Sequence, residues 1–230
     1  MSAAYVCSPQ ARIIKNLIRH RMFLVRVQTM VKNRIHVLLE RHPDIGLQRF
    51  ASGLFTKIGI AELKQVELPK YDRHILDSEL ALLEHLGRQI KQADRWLSGV
   101  GKKDKRVKLL MSIPGIGRSF ALLLLSEIDD VGRFRTDRKL HAYAGLVPGT
   151  CSSGGRTFHG RIIKCSNKYI RWAMVEAVWP AIVKDVGLNQ YYRRIAHRKG
   201  ANPTKVATAR RLLTIVYKVL KDNREYRYAA

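Results

Sequence analysis

"LLMSIPGIGRSFALLLLSEI", residues 109–128, decides how the rest of the chain is read. An apolar run, then Pro-Gly-Ile-Gly, then a second apolar run that takes in Ala121, spells two helices joined by a tight turn. Gly115 and Gly117 let the backbone turn sharply and leave amide N–H groups uncovered at a helix start. Those amides, with the helix dipole behind them, hold a phosphate without reading a base. The stretch predicts a helix-hairpin-helix element with Gly115, Gly117 and Arg118 as candidate DNA contacts. The same sequence also suits a plain turn between two packed helices.

Upstream, the apolar period is helical from Pro9 to about Arg41: Ile14, Leu17, Ile18, Val25, Val31, Ile35, Leu38 and Leu39 recur at i, i+3 or i+4. The opposite face carries Arg12, Lys15, Arg19, Arg26, Lys32 and Arg34. After a mixed stretch with one or two short helices over 47–70, a long helix is predicted from about Tyr71 to Leu97. Leu76, Leu83, Ile90 and Leu97 fall seven apart, with Leu80, Leu86 and Ala93 filling the neighbouring seam. That register fits a coiled coil or an antiparallel helix pair within the chain. "SGVGKKDKR" at 98–106 reads as a hinge, giving residues 1–100 as basic helices and coiled coil, and 101–230 as a second domain.

Downstream, Thr136 or Asp137 is placed to cap a short helix. "NKYIRWAMVEAVWPAIVKD" puts Ile170, Met174, Val175 and Val178 on one face, with Asn167 as N-cap and Pro180 expected to kink or end the helix. "PTKVATARRLLTIVYKVLKD" stripes Val206, Ala209, Leu213, Val216 and Leu220. Only "RTFHGRII", 156–163, reads as a strand. The fold class expected is mainly α: a long helical or coiled-coil N-terminal part, then a helical domain with the helix-hairpin-helix element and a small β or irregular loop region.

Charge narrows the partners. The 230 residues hold 43 Lys and Arg against 18 Asp and Glu, a formal net charge of +25. Such a surface attracts polyanions through long-range attraction and counterion release. An anionic membrane fits less well, because the cations are spread along the chain instead of lining one amphipathic helix. The longest purely apolar run, "ALLLL" at 121–125, is too short to span a bilayer, and "MSAAYVCSPQ" has no signal-peptide pattern. Cys7, Cys151 and Cys165 are odd in number and form no CxxC pair, which argues against a disulfide framework or a zinc site. A cytoplasmic protein is expected. Zinc-finger and homeodomain patterns are lacking, so base readout by the protein itself is not expected.

One segment stands apart. "PGTCSSGGRTFHGRIIK", 148–164, sets two serines and two glycines among cations with no carboxylate. Ser153, directly before Gly154, is the first candidate nucleophile and Ser152 the second. A serine hydroxyl is a weak nucleophile at neutral pH and needs a base, a metal or charge neutralisation at the phosphate. Arg156, Arg161 and Lys164 are the candidate DNA-binding cations that would stabilise charge on a pentavalent phosphorus. The alternative is a turn that wraps a phosphate backbone without chemistry. Glu127, Asp129, Asp130 and Asp137 are the nearby acids; capping and salt bridging explain them more simply than a metal site, and no metal residues are assigned.

Taken in order, "IPGIG…A…LLSEI…RF…AYAGLVP…SSGG…GRIIK…N…IRWAMVEA" resembles the C-terminal domain of bacterial insertion-sequence transposases of the IS110 family. "LIRHRMFLVRVQTMVKNRIHVLLERH", 17–42, resembles the basic helix leading into that family's coiled coil, so the likeness runs from roughly residue 9 to 220. The resemblance implies an Asp-Glu-Asp-Asp plus serine recombinase, some members of which are guided by a bridge RNA. It implies that a serine of the SSG-like loop attacks a DNA phosphodiester, and that Mg²⁺ is held by four acids of an N-terminal ribonuclease-H-like domain. That acidic domain is expected to be missing here, which makes the chain look like a truncated transposase, with no cofactor of its own and uncertain activity alone. DNA is the expected partner, with guide RNA, a second copy or full-length transposase subunits as further candidates. The alternative readings are a non-catalytic nucleic-acid-binding regulator or degenerate remnant, and a structural protein built on its coiled coil.

Overall fold

The computed structural model describes residues 5–45, 53–102, 104–153, 156–163 and 165–227, and for residues 150–153 and 156–162 the backbone alone. The chain is mainly helical. Helices α1 (Pro9–Glu40), α2 (Lys57–Gln65) and α3 (Lys70–Gly101) come first, followed by α4 (Lys105–Met111), α5 (Arg118–Ile128) and α6 (Asp137–Ala144). An antiparallel β-hairpin, β1 (Pro148–Ser153) and β2 (Arg156–Ile162), then leads to α7 (Lys168–Lys184), α8 (Val186–Lys199) and α9 (Ala201–Asp222).

The chain does not divide at a single point. One compact unit is Arg19–Trp96; the other joins Met1–Ile18 to Leu97–Ala230. The expected hinge at 98–106 is helical through Gly101. Gly101 serves packing there: a Cβ on it would stand 3.0 Å from Leu122.

Within Arg19–Trp96, α1 and α3 form an antiparallel pair. Leu24, Val31, Ile35, Leu38 and Leu39 pack with Leu76, Leu80, Leu83 and Leu86 in one apolar core. Arg21 pairs with Asp94, Arg34 with Glu79 and, just past the end of α1, His42 with Asp72, so partner numbers fall along α3 as they rise along the first segment. The heptad seam is thus filled by a helix of the same chain. Helix α2 adds Leu63 to this core, and Arg73 bonds the Leu63 and Val66 carbonyls at its end.

In the other unit α5 is central. All of its residues from Ala121 to Ile128 are buried, the apolar run Ala121–Leu125 on every side and the polar Ser126 and Glu127 with it. It packs against α4 and α7, and α7 against α8 and α9. Ala173, Ala177 and Ala181 keep α7 slim enough for these approaches. Helix α7 continues past Pro180 to Lys184 instead of ending there. Its flanks Ala177, Val178, Ala181 and Ile182 are buried while Pro180 is exposed, so core packing holds the turn that has lost a backbone donor. Asn167 caps α7 as expected, accepting from the Tyr169 and Ile170 amides. No helix among the described residues is long and apolar enough to cross a membrane.

Candidate nucleic-acid interface

The Pro-Gly-Ile-Gly turn lies between α4 and α5. Gly115 has φ +83°, and a Cβ there would come within 2.4 Å of the Ala177 carbonyl oxygen. A side chain is therefore excluded twice, by backbone conformation and by the close approach of α7. Gly117 is the N-cap of α5, exposed and without a side-chain cap. Arg118 begins the helix, exposed, and donates from Nη1 to Ser98 Oγ at 3.0 Å. Gly115 thus seats the turn on α7, while Gly117 and Arg118 face water.

Ten residues on, α5 buries a charge. The Glu127 carboxylate is fully enclosed, 3.7 Å from Lys15 Nζ, and accepts from Asn167 Nδ2 at 2.8 Å. The same Asn167 nitrogen reaches the Tyr143 hydroxyl at 3.2 Å. Arg133 donates to the Glu127 carbonyl and lies 4.0 to 4.7 Å from the ring centres of Tyr5, Phe134 and Tyr143. One acid thereby ties α1, α5, α6 and α7 together.

That junction carries the β-hairpin. Gly145, in the left-handed region at φ +67°, ends α6 so close to Ser166 that a Cβ would collide with its hydroxyl. The Ile163 amide donates to the Val147 carbonyl, and Arg171 Nη1 donates to the Ile163 carbonyl at 2.9 Å. The Asn167 amide donates to the Tyr143 carbonyl. Both ends of the hairpin are therefore fixed to the helical frame.

Beyond this root the expected serine loop is a pair of strands. Ser153 stands opposite Arg156, and Ser152 opposite Thr157. Paired residues share a face of a hairpin, so Ser153 and Arg156 belong to one face, Ser152 and Thr157 to the other. A register shift between Pro148 and Thr150 leaves Gly160 and Arg161 in a bulged stretch of β2. The side chains of Ser152, Ser153, Arg156 and Arg161 lie outside the described residues, as does Lys164 altogether.

The nearby acids are engaged within the fold. Asp129, at φ +59°, accepts from the Tyr5 hydroxyl and from the Ser8 amide and hydroxyl at 2.7 to 2.8 Å. Burial works against its ionised form, but those donors outweigh it and hold the carboxyl below its usual range; the same bond raises the Tyr5 phenol. Asp130 accepts from the Gly132 amide, and Asp137 from the Thr214 hydroxyl. Among the described residues, no group of three or more His, Cys, Asp or Glu side chains is placed to hold a metal ion.

Sequence reading passed over His141. On α6, it is buried, with Nδ1 3.3 Å from Arg210 Nε and Nε2 3.0 Å from Thr214 Oγ1, both on α9. Burial, then the Arg210 charge, lower its pKa to about 4, against a smaller opposing pull from Asp137. Its partners lie about seventy residues away, beyond the reach of any local pattern.

Residues 107–193 match the model of the Transposase IS116/IS110/IS902 family, a span that brackets the α4–α5 turn, the β-hairpin and α7. The chain is 25% identical, over 96% of its length, to a probable family 20 transposase of Pseudomonas aeruginosa, 67% of which is covered. It is 25% identical to the transposase for insertion sequence element IS1111A of Coxiella burnetii, over 94% of this chain and 61% of that protein. To the transposase for insertion sequence element IS1328 of Yersinia enterocolitica it is 29% identical, over 69% of this chain and 46% of that protein. The chain thus spans two thirds or less of the length of these relatives and is similar to transposases of the IS110/IS116 family.

Proposed function

We propose that this chain acts in DNA transposition, gripping a DNA backbone with its cations and helix-start amides and presenting a serine of β1 to a phosphodiester. The observation that carries this reading is the register of the β-hairpin. It sets Ser153 opposite Arg156, on a frame anchored by Asn167, Arg171 and Glu127 inside the family-matched segment. Ser153 is the nucleophile, with Ser152 as the second candidate. In the step, the serine oxygen bonds to phosphorus, the phosphorus–oxygen bond to the leaving strand breaks, and that strand departs with a free hydroxyl. The serine proton is relayed through solvent to the departing oxygen, which leaves as the free hydroxyl, and Arg156 with Arg161 and Lys164 offsets the charge that develops on the phosphoryl oxygens. Gly117, Arg118 and the Gly115 turn hold a neighbouring phosphate. Any metal that the resemblance implies for this step is assigned, in this reading, to an acidic domain on another polypeptide.

The test is complementation. Mixed with a full-length relative whose own serine is replaced by alanine, this chain should restore strand transfer, and Ser153→Ala in this chain should remove the rescue. Co-assembly without rescue, or rescue that survives both Ser153→Ala and Ser152→Ala, would overturn the catalytic reading and leave a nucleic-acid-binding regulator.

A further inference from the structure

A groove of about 1470 Å³ opens within the Leu97–Ala230 unit, walled by α6, α8, α9 and the C-terminal segment. None of the candidate residues of the turn or the β-hairpin lines it. Its cations are Arg138 from α6, Arg210, Arg211 and Lys218 from α9, and Arg224 and Arg227 beyond α9. Four acids also line it, but two are committed: Asp137 accepts from Thr214, and Asp185 from the Leu188 amide and the Tyr226 hydroxyl. Arg211 lies 4.7 Å from the Tyr191 ring centre, so this cation too is steadied from α8.

The His141 cluster stands in the wall of this groove. Arginine cannot accept a hydrogen bond, so Arg210 Nε must donate to Nδ1 of His141. The neutral imidazole then carries its hydrogen on Nε2 and donates to Thr214 Oγ1, whose own hydrogen goes to Asp137 Oδ2 at 3.2 Å. This chain of donors fixes an exposed arginine through its ε edge, the edge that does not carry the two terminal amino groups. A guanidinium held that way keeps its fork for an outside oxyanion and loses less rotamer freedom on binding.

We infer that this groove binds a single phosphodiester strand, with Arg210 as a phosphate contact and His141 as the residue that positions it. Three features select a strand over a small anion. The cations are spread over three segments instead of converging on one point. The volume exceeds the ~300–1,000 Å³ usual for small-molecule pockets. Arg138, Arg210, Arg211 and Lys218 line the groove itself, so one ligand that meets them all has to run along it as a strand does. The inference rests on the reading of this chain as a protein that acts on nucleic acid.

The experiment is a salt titration of binding by the full chain, using labelled 20-nucleotide DNA and RNA single strands of one sequence and the matching DNA duplex. Arg210→Ala should weaken single-strand binding roughly tenfold and reduce the magnitude of the log K against log salt slope by about 0.7, the share of one phosphate on a single strand. Arg95→Ala, an equal charge loss at an exposed site in Arg19–Trp96, should leave the slope unchanged. His141→Leu should act like Arg210→Ala, while His141→Asn, which keeps an acceptor for Nε, should recover most of the slope. If Arg210→Ala fails to fold, Arg138→Gln on α6 carries the same test. The DNA and RNA arms tell which strand the groove prefers. Equal effects of Arg210→Ala and Arg95→Ala, or a loss confined to the duplex, would overturn the groove alone. A chain that binds none of the three would overturn the groove and the transposition reading together.

Discussion

Along the α1–α3 pair of Arg19–Trp96, charges flank an apolar seam and several of them stand mostly in water. The Arg34 side chain is 70% exposed over Glu79, and Arg88 and Glu84 are 62% and 68% exposed. At the junction of α5, α6 and α7 the arrangement is inverted: the Glu127 carboxylate is fully buried, and helices converge on it. In the first region, charge records a register that leucines already enforce. In the second, charge sits where leucines would otherwise be, directly beneath the root of the β-hairpin. The two should answer mutation very differently.

The largest expected effect is at Glu127. Glu127→Ala removes one of the two acceptors of Asn167 Nδ2 and deprives Lys15 of its buried counter-charge. Breaking a buried pair from one side costs about 3–5 kcal/mol, and the partial exposure of Lys15 puts the expectation near the lower end, ~3 kcal/mol. Urea unfolding measures the total, and amide exchange at Ile163 reports whether the hairpin root loosens with it. A loss under about 1 kcal/mol would erase the distinction between the two regions.

His141 gives a smaller effect with a sign of its own. Its pKa falls from the ordinary 6.5 to about 4 in the folded chain, so between those values the unfolded chain binds the extra proton. Stability is fully present above pH 6.5 and is lost as pH falls toward 4, below which the His141 contribution is flat. The full shift corresponds to roughly 3 kcal/mol, and screening by groove water reduces the expectation to about 2 kcal/mol. Asp129, with its carboxyl held below the normal 3.8, loses stability only at lower pH, so the two can be told apart. Chemical unfolding at pH 7.5 and pH 4.5 should show the loss in the parent chain and little of it in His141→Gln.

The same contrast governs what the sequence disclosed. The seam of α3 was legible because Leu76, Leu83 and Leu97 repeat at a fixed spacing and all end buried. That its partner is α1 was an open choice between intrachain and intermolecular pairing, because a heptad specifies a neighbour's pattern and not whose chain supplies it. The Gly115 turn and the Asn167 cap were legible because each depends on two or three adjacent residues. The sequence groups Glu127 with Asp129, Asp130 and Asp137 as acids for capping or salt bridging, and only the packing of α5 shows that its carboxylate is enclosed. The strand character of Ser152 and Ser153 was missed because Pro148–Ser153 is poor in β-formers and takes its strand form from pairing with β2. His141 gave no local sign, since its bonds come from α9.

The smallest effect completes the comparison. Arg88 Nη1 bonds Glu84 Oε1 at 2.7 Å across one turn of α3, in the favourable order with the acid four residues before the base. With both side chains mostly in water, the attraction is screened and ordering two long side chains offsets much of it. Arg88→Ala should change unfolding stability by less than about 0.5 kcal/mol. Raising salt should shrink that difference further, whereas the deficit of Glu127→Ala should persist, since ions do not reach a fully enclosed carboxylate. Urea curves at low and high salt for the two variants settle the point. If both deficits vanished together, the Glu127 site would be as wet as the α3 surface, and the frame beneath the β-hairpin would have to be held by something other than that charge.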